Sequence, residues 1–391
     1  MEREKHRWGI RLAALLCLLL ALALSYKWQR IFFDVCSGYI LSDVPKHVEL
    51  AKGGNDYGLA SFLIRALYAG GNDRFAELAL SLCMTANNVL GIVTLWWFIR
   101  RMLPGLNGWY ALLASELALL CGPWMIPGLQ ETVYIDAYNG NQYHNMTVLF
   151  SRTLIPVSFI YFFRCWEARH GAIRAVDWLW LALSFLTVTM FKPNFAFAFI
   201  PVLAALLLAD LIKYRGRYLK NEVILGLAVV PAGLTCIWQY LTLFDDSFAG
   251  TSSSVAIHSY SLLGLLALGL MYLRGLLLPL FSFSLRGPRE DCRGRLGLIA
   301  LVEAVAIAEA VLLTETGYRA TDGNIDWGSL AIYPLIFALS IALLIRMLQD
   351  RDCGSPKDMA ICVLGVVLLL GHLAAGVYFL LAYARMGTYL I

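Results

Sequence analysis

Long apolar runs separated by short polar stretches repeat along the whole of this 391-residue chain. A helix needs about 20 apolar residues to cross a bilayer's hydrocarbon core. Read with a window of that length, the pattern predicts about eleven spans. They centre on Leu18, Val89, Leu117, Ser158, Leu183, Val202, Gly233, Gly269, Ala306, Ala338 and Leu369. Helices are expected rather than barrel strands, because backbone groups in lipid must be satisfied within their own segment. The predicted architecture is an all-α, polytopic membrane helix bundle forming a single integral domain over residues 1–391. No internal repeat, low-complexity linker or separate soluble domain interrupts it.

The polar stretches alternate in kind. One set is short and basic: Met1–Arg11, Arg100–Arg101, Arg164–Arg174, Lys213–Lys220, Arg286–Arg295 and Arg346–Lys357, which together hold 20 of the chain's 31 Lys and Arg. The other set is longer, richer in Asp, Asn and Gly, and includes a first loop of about residues 27–74, Leu129–Asn145, the turn Lys192-Pro193-Asn194, Phe244–Ile257 and Thr314–Trp327. Basic loops face the cytoplasm, so an odd number of spans puts the N-terminus inside and the C-terminus outside. The expected location is a bacterial plasma membrane. Within the first outer loop, Asp43–Ala51 and Tyr57–Ala69 read as short helices broken at Lys52-Gly53-Gly54-Asn55. The second places Leu59, Phe62, Leu63, Ala66 and Leu67 on one face, as a helix lying in the interface would.

Composition excludes a soluble fold: 60% of residues are hydrophobic, 15% are charged and the mean hydropathy is +0.68. The net charge of +4 says less than its placement. The basic start followed by an apolar run ending near Tyr26 also fits a cleaved leader, with Ala21-Leu22-Ala23 as the processing site; the run is long for that purpose, and an uncleaved first span is preferred. The nine Cys show neither a disulfide framework nor a metal spacing, and those in apolar runs, Cys362 among them, read as small hydrophobes. No P-loop, dinucleotide fingerprint or zinc motif is present. No cofactor is expected, no ligand set supports a divalent metal, and nucleic acid is not an expected partner.

Asp43, in Ser42-Asp43-Val44-Pro45-Lys46-His47, is the leading candidate for chemistry. A carboxylate just outside the first span can act as a base on a lipid-linked substrate. It also reads as a first-turn helix residue behind a Ser42 cap; the two readings are compatible. Lys192, alone in a tight turn between two apolar runs, is either a phosphate ligand or a snorkelling anchor. Gly140-Asn141-Gln142-Tyr143-His144-Asn145 offers amide and imidazole groups for a sugar or phosphate, and Asp136 lies in the same segment. The bland reading is an ordinary polar loop. Arg152, about two turns inside a span, is costly unless paired; Glu116, Glu303 and Glu309 are candidate partners for it or for Arg274. Arg319 is a further phosphate candidate or a solvated loop residue. Asn145-Met146-Thr147 is a formal glycosylation sequon with no room for a glycan. Asp245-Asp246 and Asp322 with Asp326 are weak cation candidates.

This organisation resembles the GT-C fold of integral membrane glycosyltransferases: a cytoplasmic start, one span, an outer first loop with an acid soon after it, short interfacial helices, then a compact set of spans. The run Gln142-Tyr143-His144-Asn145 and the Lys192-Pro193 turn are similar to those of uncharacterised bacterial members, and the resemblance covers roughly two thirds of the chain. It implies an inverting transferase that takes sugar from a polyprenyl-phosphate donor at the outer membrane face and delivers it to a glycan, lipid or protein acceptor of the cell envelope. It implies Asp43 as catalytic base. Lys192, Arg152, His144, Asn145, Arg319 and Asp136 would then bind substrate, the cations stabilising the lipid phosphate. The loop departs from the family's pattern in lacking two adjacent acids, so Asp34 and Asp56 stand as rivals. A transporter or flippase for a lipid-linked glycan, or a non-catalytic membrane scaffold, would share the spans. A transporter also needs polar residues near the inner ends of its spans, whereas here they crowd outside.

Overall fold

In the computed structural model the described residues are 8–26 (except 10, 13, 20, 21 and 24), 43–54, 58–124, 145–243, 254–285, 292–317, 324–349 and 355–386. Residues 8–26, α1, are helical at every described position. Then follow α2 (Asp43–Lys52), α3 (Leu59–Tyr68), α4 (Asp73–Met102), α5 (Gly108–Leu120), α6 (Met146–Ala168), α7 (Ala175–Phe191), α8 (Asn194–Lys213), α9 (Leu219–Leu227) and α10 (Val230–Leu243). The second half holds β1 (Val255–Ile257), α11 (Leu262–Ser282), α12 (Arg293–Leu312), β2 (Leu313–Glu315), a 3₁₀ turn (Asn324–Asp326), α13 (Trp327–Gln349) and α14 (Pro356–Met386).

All eleven predicted centres fall in helices. Among the described residues seven helical stretches are long and apolar enough to cross a membrane: α4, α6, α8, Leu219–Thr242, α11, α13 and Pro356–Phe379. Leu, Ile and Val side chains point outward from α8, α10, α11 and α14, which only lipid can accommodate. The chain is an integral, multi-pass membrane protein. α7 is shorter, at 17 residues, and α12 carries Arg293, Arg295, Glu303 and Glu309 in its 20 residues.

α5 stops after 13 residues, about 20 Å of rise, and Cys121–Trp124 continues without helix. Non-helical backbone at membrane depth survives only when protein satisfies it. Here Gly122 N–H donates to the His372 carbonyl (3.0 Å), His372 Nδ1 meets the Gly122 carbonyl (2.7 Å), and Arg274 Nη1 donates to the Trp124 carbonyl (3.2 Å). α14 approaches so closely that a Cβ on Gly376 would sit 1.8 Å from the Leu120 carbonyl oxygen.

α13 is the axis of the bundle. It is apolar on every side and buried almost throughout, because α4, α5, α6, α8, α11, α12 and α14 all pack on it. Sequence period alone does not separate such a helix from a lipid-facing one. In α3 the predicted apolar face is divided between protein and surroundings, with Leu63 and Leu67 packed against the core. Ala60, Ser61 and Ile64 pack inward, while Phe62 and Ala66 point away from the protein. Otherwise α2 and α3 match the predicted interfacial helices to within two residues. The three-residue antiparallel ribbon of β1 and β2, with Val255 opposite Glu315, was not foreseen. Cys362 is also not the simple apolar filler expected of it; it is disulfide-bonded, whereas Cys17, Cys83, Cys121, Cys165 and Cys236 are free thiols.

The two sets of polar stretches separate to opposite ends. At one end Arg164 and Arg174 pair with Asp177 (3.0 and 2.6 Å), and Arg169 and His170 with Asp210 (3.1 and 2.7 Å). There, too, Arg295 pairs with Glu167, Asn221 donates to the Arg169 and Gly171 carbonyls, and Arg346 donates to the Gly105 carbonyl. At the other end Lys192 meets Asn324, Ser254 meets Thr316, and Lys52 pairs with Asp73. Strict alternation of spans requires this segregation. From the charge bias the first end is expected to face the cytoplasm. Reporter fusions at Arg217 and Arg293 are expected to report inside, and fusions at Lys46 and Ser254 outside; the reverse pattern would overturn the assignment.

Candidate functional site

The site is built at the less basic end, from the α7–α8 hairpin outward. Pro193 cannot continue α7 and pushes its predecessor out of helical geometry, so Lys192 is extended (φ −153°, ψ 120°). A cation just past a helix C-terminus also suits the helix dipole. The Lys192 ammonium lies 3.4 Å from Asn324 Oδ1 and 5.6 Å from the centre of the Trp327 ring. Asn324 Nδ2 in turn donates to Glu315 Oε2 at 2.7 Å, and Asn194 Nδ2 donates to the Asn324 carbonyl at 2.6 Å. The Lys192–Asn194 turn and the Thr314–Trp327 segment are thereby tied together. Lys192 is half-buried in this network, which differs from a side chain merely snorkelling to headgroups. Asn324 and Glu315 escaped sequence reasoning, since Lys192 and Asn324 are 132 residues apart and no spacing announces the contact.

Arg152 owes its place to a proline. In a helix the carbonyl of residue i accepts from the N–H of residue i+4. For Leu330 that residue is Pro334, inside α13, which has no N–H. Arg152 Nε supplies the missing donor, reaching the Leu330 carbonyl at 3.0 Å. The expected pairing with a Glu is not what the structure holds: no carboxylate of the described residues lies within 4 Å of Arg152. Its other guanidinium nitrogens make no hydrogen bond to the described residues. Four N–H donors on Nη1 and Nη2 therefore remain for a ligand. Buried Tyr333 sits within electrostatic reach of both Arg152 and Glu303.

Asn145 caps α6. Its Oδ1 accepts from Thr147 N, Val148 N and Thr147 Oγ1 at 3.0, 3.2 and 2.6 Å, and the residue is only 4% exposed. The cap fixes the helix start from which Arg152 projects about two turns later. It also leaves no room for a glycan at the sequon.

Asp43 is the first residue of α2; its side chain lies outside the described part of the structure. Its neighbour Val44 is fully buried in a cluster with Met146 and Leu149 of α6 and Phe379 of α14. This places the Asp43 backbone at the same end of the bundle as Asn145. α3 is docked beside the hairpin: a Cβ on Gly58 would come within 2.6 Å of the Met190 carbonyl oxygen, two residues before Lys192. His144, Asp136, Arg319, Asp34, Asp56, Asp245, Asp246 and Asp322 lie outside the described residues, as does the Asp326 side chain. Among the described residues no group of three or more His, Cys, Asp or Glu could hold a metal ion. Glu116 and Glu303 are buried, and Glu309 is half-buried. Neither Glu116 oxygen has a hydrogen-bond partner.

These elements share one end of the bundle: a guanidinium anchored on the Leu330 carbonyl, a half-buried ammonium, and a helix whose first residue is Asp43. No protein-family model and no curated protein matches the sequence. Among solved structures, the chain is similar to ArnT from Cupriavidus metallidurans bound to undecaprenyl phosphate. The two are 14% identical, the alignment covers 98% of this chain and 77% of that one, and the TM-score is 0.48.

Proposed function

We propose that the chain is a glycosyltransferase of the GT-C type that uses a polyprenyl-phosphate sugar at the outer membrane face. The observation that carries this reading is Arg152. It is a span cation held by a proline-vacated carbonyl, its Nη groups are open, and it belongs to the end that also holds Lys192 and the Asp43-headed helix. A polyprenyl tail stays in lipid and brings its phosphate to such a position. In the reaction the Asp43 carboxylate takes the acceptor hydroxyl's proton. The hydroxyl oxygen bonds to the anomeric carbon from the face opposite the phosphate, and the carbon–oxygen bond to the phosphate breaks. The electron pair leaves on polyprenyl phosphate, whose charge Arg152 and Lys192 stabilise. The anomeric configuration is inverted. A transport reading fits less well, because the buried carboxylates at the basic end, Asp177 and Asp210, are each closed by two cationic or imidazole partners.

Lys192 supplies the test. Lys192→Met is expected to weaken binding of the lipid donor about tenfold to a hundredfold, the range for hydrogen bonds to charged groups, while the protein still inserts. Lys192→Arg is expected to recover part of the loss, because charge returns in a different geometry. Donor binding to purified variants in nanodiscs measures this. Equal affinity in parent and Lys192→Met would reduce Lys192 to a structural tie to Asn324 and move the phosphate site to Arg152 or Arg319.

A further inference from the structure

At the opposite, basic end a cleft of about 360 Å³ opens between α6, α8 and α12. Its walls are Phe163 and Trp166 of α6, Leu206 of α8, and Leu298 and Leu301 of α12. Leu301 at the rim is 45% exposed. Two glycines shape one side: a Cβ on Gly294 or Gly297 would meet nothing within 4 Å. From Arg295 to Leu301 the cleft follows α12 for about 9 Å of helical rise. Phe163 and Leu206 belong to helices long and apolar enough to cross a membrane, and a hydrocarbon chain lying on this apolar wall restores the contacts that an empty void forfeits.

The mouth is polar and carries net positive charge. Arg295 stands there, bonded to Glu167 Oε1 at 2.5 Å and donating Nη1 to the Arg101 carbonyl at 3.4 Å. Arg101 of α4, whose carbonyl accepts that bond, and Arg293, two residues before Arg295 on α12, are both exposed. Three arginines and one half-exposed carboxylate thus belong to this stretch, the carboxylate being paired with Arg295. Trp166 is placed as an interfacial anchor, its indole being the tip of an otherwise apolar wall.

We infer that this cleft is a binding site for one anionic phospholipid of the leaflet at the basic end. An acyl chain lies along the glycine side of α12, and the phosphate sits at Arg295 with Arg101 and Arg293. The charge at the mouth selects an anionic headgroup over a zwitterionic one. The inference does not depend on sugar transfer at the other end. Native mass spectrometry of the full chain, released from nanodiscs of equimolar phosphatidylglycerol and phosphatidylcholine, tests it. The parent is expected to retain one phosphatidylglycerol with about a fivefold preference, the scale set by a basic residue near an anionic lipid surface. Gly297→Leu fills the cleft without touching the charges and is expected to abolish retention. It replaces a poor helix former by a good one in open space, so folding is not at stake. Arg295→Gln is expected to keep a retained lipid but lose the preference. Equal retention of both lipids by the parent, or unchanged retention in Gly297→Leu, would overturn the site. So would stoichiometric displacement of phosphatidylglycerol by added polyprenyl phosphate, because the occupant would then be the carrier lipid.

Discussion

Asp43→Asn is expected to lower sugar transfer by about a hundredfold to ten-thousandfold, the usual contribution of a general base. Insertion and thermal stability should stay close to those of the parent. The substitution keeps the side chain's size and shape and removes only its charge. The lost charge–dipole attraction in the first turn of α2 amounts to about 0.3–1 kcal/mol. The measurement is the initial rate of transfer from a polyprenyl-phosphate sugar by purified protein, alongside a melting curve. An Asp43→Asn variant of full activity would move the base to Asp34 or Asp56. A variant that no longer folds would show that the residue holds α2 in place.

The second large effect is expected at Arg152, where structure and function can be separated because of Pro334. Arg152→Met removes the donor to the Leu330 carbonyl, and nothing in α13 can replace it. Leaving such a group unsatisfied costs about 1–3 kcal/mol of stability. Transfer should fall about a hundredfold or more, as when one preorganised donor to a developing anion is lost. Pro334→Ala restores an N–H at the position that should serve Leu330. In the double variant Arg152→Met with Pro334→Ala, stability is therefore expected to return while transfer stays low. Recovery of both together would make Arg152 a structural clamp and remove it from the phosphate site. Arg152→Lys is expected to stay impaired, since one ammonium lacks the guanidinium fork that serves the carbonyl and a phosphate at once.

Much of the local structure was legible in the chain, for local reasons. Apolar runs long enough to cross a bilayer must be helical there, so the eleven centres land in helices. Lys192-Pro193 had to end one helix and start another, because proline forbids α geometry in its predecessor. Gly53-Gly54 interrupts the first outer loop between two amphipathic pieces, and α2 and α3 appear on either side of it. Asn145 reads as a polar residue at a span entrance and is a helix cap there. The basic and non-basic stretches were assigned to opposite ends by alternation alone, and their contacts separate accordingly.

What only the tertiary structure decided is which apolar faces meet protein, and which distant polar groups meet each other. Hydropathy treats lipid and protein interior as the same solvent. It could not single out α13 as the axis. Arg152 was recognisable as a costly residue, but its partner is a main-chain oxygen 178 residues away, opened by a proline and silent in any residue-type pattern. The Lys192–Asn324–Glu315 chain and the α6–α8–α12 cleft likewise join segments far apart in sequence. Local propensity and span length act over one or two turns, so the sequence alone could mark where the helices run and which polar residues stand at their ends. The site is made by packing across the bundle, which sets distances between residues that no local spacing encodes.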